Sequence, residues 1–192
     1  MILKRRSIRR FTDQPVEKEK LELLLQAAMA GPSASNAQPW EFVVITETEV
    51  LNRFRRALIF GKINAPAAIC VLGSSRMKKN KSGDLFWEQD CSAASENILL
   101  AATALGLGSV WIGVHPVALF ERQVRDILNL PEGVTPLNLI YLGYPAEEKE
   151  PRTQYEETRV HWGAFPVAER SKKNRPPKEK EITLEDLGKD EG

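Results

Sequence analysis

Apolar residues recur along the chain with two different spacings, which separate the predicted helices from the predicted strands. Helical spacing that stops at Gly31-Pro32 predicts an amphipathic helix over residues 17–30. The same spacing predicts helices over residues 50–60 and from Pro116 to about Leu128. Short apolar runs that include β-branched residues predict strands at residues 42–45, 67–72, 109–112 and 137–142.

A longer predicted helix, residues 86–105, is rich in Ala and Leu and carries only three charged residues, Glu88, Asp90 and Glu96. A helix of this composition is not solvated on all sides, so we expect the core or a partner chain to cover it. Residues 77–84 are rich in Lys, Asn, Ser and Gly, and we predict an exposed loop there.

Composition and charge are those of an ordinary globular protein. The 192 residues are 42% hydrophobic and 28% charged, and the formal charge of +1 provides no overall field to attract nucleic acid or an anionic membrane. A basic patch at residues 171–175 is followed at once by acidic residues, which also disfavours nucleic-acid binding. We expect one domain at residues 1–167 and a charged tail at residues 168–192.

No apolar run approaches the ~18 residues that span a bilayer, and the first ten residues lack a signal-peptide stretch. A cytoplasmic location without membrane attachment is therefore expected. Cys70 and Cys91 lack metal-ligand spacing, so we interpret them as buried free thiols and predict no metal site. His115 and His161 are interpreted as structural or surface residues, and no side chain is predicted to act as a catalytic acid or base.

Three clusters carry the candidate chemistry. The first, Arg5-Arg6-Ser7-Ile8-Arg9-Arg10, offers guanidinium groups suited to a phosphate or a carbonyl edge, although a solvated basic N-terminus has the same composition. The second, Pro32 to Trp40, offers hydroxyl and carboxamide groups that match an imide edge, or forms a plain polar loop. The third, Gly106 to Gly113, permits close approach of a flat ligand, or forms a helix C-cap.

Taken in chain order, the clusters resemble one protein family. Arg5-Arg6-Ser7-Ile8-Arg9, Gly31 to Trp40, Gly106-Leu107-Gly108-Ser109 and Leu142-Gly143-Tyr144-Pro145 resemble the FMN-dependent nitroreductases over about residues 3–162. The stretch Pro-Ser-x-x-Asn-x-Gln-Pro-Trp is the most specific element of the resemblance.

The resemblance implies a cofactor site assembled from several segments. Arg5 and Ser7 would bind the FMN phosphate or ribityl chain with Arg6 nearby, and the late basic residues Arg152 and Lys149 would close on the phosphate. The remaining implied contacts concern the flavin ring: Arg9 at its pyrimidine end, Asn36 and Gln38 at its edge, the backbone of Ile112 and Gly113 near N5, and Pro32, Ser33, Ala34 and Ser35 in the wall.

The resemblance also implies an α+β fold with a central, mainly antiparallel sheet flanked by helices. Family members form obligate homodimers with FMN in the interface, to which the helix at residues 86–105 would contribute. Residues 153–162 are the candidate for a C-terminal segment exchanged between partners.

The implied activity is NADH- or NADPH-linked reduction of a nitroaromatic, a quinone or a related small acceptor by a ping-pong mechanism. Residues 60–63 and 77–87 would determine the acceptor. A specialised dehydrogenase or dehalogenase-like enzyme on the same scaffold remains an alternative, as does a flavin-binding regulatory module without turnover.

Overall fold

A four-stranded antiparallel sheet forms the centre of the protein, whose computed structural model describes residues 2–165. The strands are β1 Trp40–Ile45, β2 Ala67–Ser74, β3 Gly108–Gly113 and β4 Val134–Gly143. They lie in the order β1-β2-β4-β3. The α-helices within the described residues are α1 Lys18–Met29, α2 Thr48–Ala57, α3 Ser82–Leu85, α4 Trp87–Ala104 and α5 Ala118–Leu128. Short 3-10 turns occupy Ile2–Lys4, Ala34–Asn36, Ile59–Gly61 and Glu157–Arg159.

Helices cover both faces of the sheet. Leu24 of α1 and Ile98 of α4 belong to the apolar cluster on one face, while Phe54 of α2 and Val124 of α5 belong to the cluster on the other. Every residue of β2 is buried, because a strand between two helical layers has no solvent-facing side. The predicted α+β fold with a central antiparallel sheet is confirmed.

The predicted helices and strands are all present, with shifts at their ends. The helix predicted over residues 50–60 ends at Ala57 and is followed by a separate 3-10 turn. Strand β4 begins at Val134, before the predicted start. The strand can include Pro136 because this residue lies beside a register shift in the ladder to β2. The loop predicted at residues 77–84 includes the start of the short helix α3.

Most of α4 is covered within the chain, by α1 and by the sheet. Ala94 is completely buried, and a stripe of more accessible residues remains at Gln89, Ala93, Glu96 and Leu100. The core therefore accounts for much of the apolar surface of this helix.

Cys70 and Cys91 are buried free thiols, as predicted. Burial raises the pKa of the Cys91 thiol to about 12 and raises that of Cys70 as well. None of the described helices is long and apolar enough to cross a membrane.

Residues 2–153 form one compact unit, and the described residues from Gln154 onward belong to a second. The tail predicted at residues 168–192 lies outside the described residues, so the predicted domain boundary stays a prediction.

Candidate functional site

The basic N-terminal segment is docked on the sheet rather than free in solvent. Ser7 pairs with Ser109 of β3 in a parallel bridge, and the Ile8 N–H donates to the Ser109 carbonyl at 2.9 Å. Gly108 makes this docking possible, because a Cβ at that position would lie 2.8 Å from the Ile8 side chain. Gly106, with φ 73°, directly follows Leu105, the C-cap residue of α4, so this part of the third cluster terminates the helix, one of the two interpretations that the sequence left open.

The segment after β4 runs beside the N-terminal segment and brings the late basic residues to it. The Ala146 N–H donates to the Arg10 carbonyl at 2.9 Å, and the Arg152 N–H donates to the Leu3 carbonyl at 3.1 Å. Arg152 therefore lies opposite Leu3, which precedes Arg5 by two residues. Two basic regions that are far apart in sequence meet here.

Side chains strengthen the contact between residues 5–10 and residues 146–152, which we call the basic seam. Lys149 Nζ donates to the Ser7 carbonyl at 2.6 Å, and the Arg6 guanidinium donates to the Glu150 carbonyl. Glu147 Oε1 accepts the Arg9 N–H at 2.6 Å and lies 3.2 Å from Lys149 Nζ. The hydrogen bond from Arg9, helped by Lys149, holds the pKa of Glu147 below its ordinary value.

A cavity of about 520 Å³ opens where this segment meets the end of β3. Arg9 lines it together with Ile112 and Gly113, three of the residues that the sequence predicted for the ring. Another part of its wall is the stretch Ile59 to Ile63, which includes Phe60 and Lys62. A Cβ added at Gly113 would meet no atom within 4 Å, so the end of the strand faces open space.

The loop at residues 32–38 has an unusual backbone held by hydrogen bonds. Three non-glycine residues have positive φ: Ser35 at 49°, Asn36 at 53° and Gln38 at 47°. The Gln38 N–H donates to Ser33 Oγ at 3.1 Å, and the Gln38 side chain accepts a hydrogen bond from Lys79. Asn36 is exposed, while Gln38 is already engaged within its own chain.

The predicted site residues fall into two separate groups. Within residues 2–165, no hydrogen bond or ion pair joins the loop at 32–38 to residues 5–9 or 147–152. One chain therefore brings the two basic segments and the cavity together, and within the described residues the loop at residues 32–38 shares no hydrogen bond with them.

Comparison with known proteins identifies the scaffold. The sequence profile of the nitroreductase family matches residues 2–60 and 54–144, which together span most of the chain. The chain belongs to the nitroreductase family.

Related proteins share nearly the whole nitroreductase domain. A protein of Archaeoglobus fulgidus provisionally named NADH dehydrogenase/NAD(P)H nitroreductase is 45% identical over 152 residues, which are 78% of this chain and 86% of that protein. A crystal structure of a similarly named protein from Parabacteroides distasonis has a TM-score of 0.80 at 38% identity and covers 85% of this chain and 96% of that one. A nitroreductase of Desulfovibrio desulfuricans, solved in complex with FMN, has a TM-score of 0.71 at 31% identity and covers 86% and 95%.

Lys62 is a further candidate for the functional site of this nitroreductase, and its charge was not part of the sequence-based prediction. It brings a second basic side chain to the cavity that Arg9 lines. Residues 60–63 were predicted only as part of a region that selects the acceptor, and nothing in the sequence distinguishes Lys62 from other surface lysines.

Hydrogen bonds anchor the stretch of chain that bears Lys62. The buried Tyr141 hydroxyl donates to the Gly61 carbonyl at 3.0 Å. Arg55 donates to the Ile63 carbonyl at 2.9 Å and to the Ala65 carbonyl at 3.1 Å. These bonds tie the stretch between α2 and β2 to the neighbouring elements.

Neither histidine is among the residues that line this cavity. His115 Nδ1 is 2.7 Å from Glu121 Oε1, and its ring lies edge-on to Trp87. His161 contacts the ring of Phe165. His115 is partly buried and His161 is exposed, and both were interpreted as structural or surface residues.

Proposed function

We propose that this chain is an FMN-dependent oxidoreductase that uses NADH or NADPH to reduce a small acceptor, with nitroaromatics and quinones as the expected classes. The observation that carries the proposal is the position of the basic seam next to a cavity lined by Arg9, Lys62 and the end of β3. The complex of the Desulfovibrio desulfuricans relative with FMN supports the choice of cofactor.

The donors of the seam fit a single phosphate. Arg5 and Arg6 offer guanidinium forks, Lys149 adds an ammonium group, and Arg152 follows on the adjoining segment. Arg5 Nε also lies 3.7 Å from Glu96 of α4, which orients it without neutralising the cluster as a whole. In the proposed complex these residues bind the phosphate, and Ser7 contacts the ribityl chain.

The cavity fits a flat, partly apolar ring with a polar edge. Trp111, Ile112 and Phe60 supply aromatic and aliphatic surface, while Arg9 and Lys62 supply positive charge. When bound, FMN supplies the hydride transfer that links the nicotinamide to the acceptor. Arg9 and Lys62 would stabilise negative charge at the pyrimidine edge, and the open end of β3 at Gly113 leaves room for donor and acceptor to bind in turn.

The loop at residues 32–38 completes the site from a second copy of the chain. Asn36 is exposed and is not joined to the Arg9 segment of its own chain. Its carboxamide would contact the ring edge in the partner's site, with Pro32 to Ser35 as the adjacent wall. Gln38 has a weaker claim, because Lys79 already uses its side-chain oxygen.

The exposed apolar residues of the second unit support a homodimer. Trp162 is 90% exposed and Phe165 is 77% exposed. Within residues 154–165 the regular structure is the 3-10 turn Glu157–Arg159, so the exchanged strand proposed for residues 153–162 would form on association. We expect an interface of about 2,000 Å² or more, the class of obligate dimers.

The purified protein provides the test of the cofactor and of turnover. We expect flavin absorption bands, and heat release followed by chromatography against FMN and FAD standards should recover FMN. Oxidation of NADH or NADPH should then depend on an added quinone. Recovery of FAD alone, or of no flavin after incubation with FMN, would contradict the proposal, while tight FMN binding without turnover would favour a regulatory module.

A further inference from the structure

Asp90 is a buried acidic residue whose hydrogen bond serves the loop at residues 32–38. It lies in the first turn of α4 and is 5% exposed. Its Oδ1 accepts the Ala34 N–H at 2.9 Å. Its Oδ2 is buried without a hydrogen-bond partner in the part of the chain that the structure describes.

The burial of this carboxyl group is unfavourable for the free energy of folding. A buried carboxyl group loses hydration, and here only one of its oxygens regains a hydrogen bond. The helix N-terminus favours an acidic group at this position and offsets part of the cost. A residue serving only to stabilise the core would be better replaced by an apolar side chain of the same shape.

The loop needs such a fixed contact because its backbone is strained. Positive φ at Ser35, Asn36 and Gln38 costs free energy that surrounding contacts must supply. Asn80 and Ser82 also bond to Ser35, but these contacts come from the surface side of the loop. The contact from Asp90 comes from the buried side, at the residue where the 3-10 turn Ala34–Asn36 begins.

We propose that Asp90 is a positioning residue: its carboxyl group fixes Ala34 and thereby aims the Asn36 carboxamide at the flavin edge. This inference rests on the proposed function, in which Asn36 contacts the cofactor. The role requires a hydrogen-bond acceptor at Oδ1, and Asn at this position supplies one whereas Leu does not.

Two substitutions at position 90 separate the acceptor from the shape of the side chain. Asp90→Leu keeps the branching and the number of side-chain heavy atoms, and we expect FMN to dissociate about tenfold to a hundredfold more readily, as for loss of a hydrogen bond to a charged group. Asp90→Asn should stay within about threefold of the wild type, because its carbonyl oxygen accepts the same bond. Glu88→Gln is the matched control, since it changes an exposed carboxylate on the same turn of α4.

Ala34→Pro tests the same bond from the other side. It removes the donor N–H, and Ser33, with φ −141° and ψ 151°, already has the conformation that precedes proline. We expect a loss of FMN affinity similar to that of Asp90→Leu, and the double variant should be no worse than either single one. This variant keeps the test decisive if Asp90→Leu does not fold.

Three measurements are made on each variant: FMN titration by fluorescence, visible circular dichroism of the FMN-saturated protein, and thermal unfolding of the apoprotein. A positioning role predicts altered flavin dichroism even at saturation, which lower stability alone would not produce. Unchanged affinity and dichroism in both Asp90→Leu and Ala34→Pro would overturn the inference and leave the proposed function intact. Equal losses in Asp90→Asn and Asp90→Leu would also overturn it, whereas a wild-type protein that does not bind FMN would overturn the proposed function itself.

Discussion

Replacing Arg9 with Ala removes the guanidinium group from the cavity and leaves its segment in place. The bond that ties position 9 to Glu147 comes from the main-chain N–H, which Ala retains. A hydrogen bond from a charged group contributes about 1.5–3 kcal/mol. Because Arg9 is exposed to solvent in the single chain, we take the lower end of that range. Since about 1.4 kcal/mol corresponds to a factor of ten, reduction of the bound flavin should slow about tenfold.

Stopped-flow measurement of flavin bleaching by NADH, with the protein saturated with FMN, tests this expectation. FMN affinity should change less than the rate, because Arg9 acts on the charge of the reduced ring while the seam holds the phosphate. Arg10→Ala is the control: the adjacent side chain is 77% exposed, and its one ion pair within residues 2–165 is with Glu147, at 3.7 Å. An Arg9→Ala protein that is fully loaded with FMN and reduced at the wild-type rate would refute the role of Arg9.

Three further predictions concern the supports of the site. The pKa of Glu147 is lowered in the folded protein, so its stabilising contribution should be complete above the ordinary value of about 4.3 and be lost as the pH falls through the folded pKa. Thermal unfolding of wild type and Glu147→Gln should therefore converge in acid, and a constant difference would contradict this. Tyr141→Phe should lower the free energy of unfolding by about 1 kcal/mol in urea titrations, through loss of the bond to Gly61, and should raise the KM for the acceptor. Ala93→Arg should weaken the dimer and FMN binding together in analytical ultracentrifugation, because Ala93 lies on the accessible stripe of α4; a stable dimer with full FMN would exclude that surface from the interface.

The elements of the fold could be predicted because burial leaves a regular pattern in the sequence. In α1, the buried residues Leu21, Leu24 and Ala28 follow the helical period that predicted the helix. Errors occurred where a local rule was overridden by tertiary structure. The start of β4 was predicted too late, at residue 137, whereas the strand includes Pro136 at a bulge where the ladder tolerates proline.

The resemblance predicts a complete cofactor site, and a single chain brings only some of its residues together. Arg9, Ile112 and Gly113 line one cavity, and Lys149 bonds to the Ser7 backbone, but their predicted contacts with FMN stay predictions. In the proposed site the Asn36 loop comes from a second chain, and the order of motifs along one sequence carries no information about such a contact.

Lys62 and Asp90 show a different limit of prediction from sequence. Each has ordinary neighbours in sequence, and each gains its role from a contact with a segment distant along the chain. Lys62 faces the cavity because Tyr141 and Arg55 anchor its loop, and Asp90 reaches Ala34 across 56 positions. An acidic residue in the first turn of a helix is common for reasons of helix stability alone, so its presence could not indicate that the carboxyl group would be buried and bonded to a strained loop. Where helix stability alone would favour a residue type at its position, only the three-dimensional contact shows whether that residue supports a site or just its own helix.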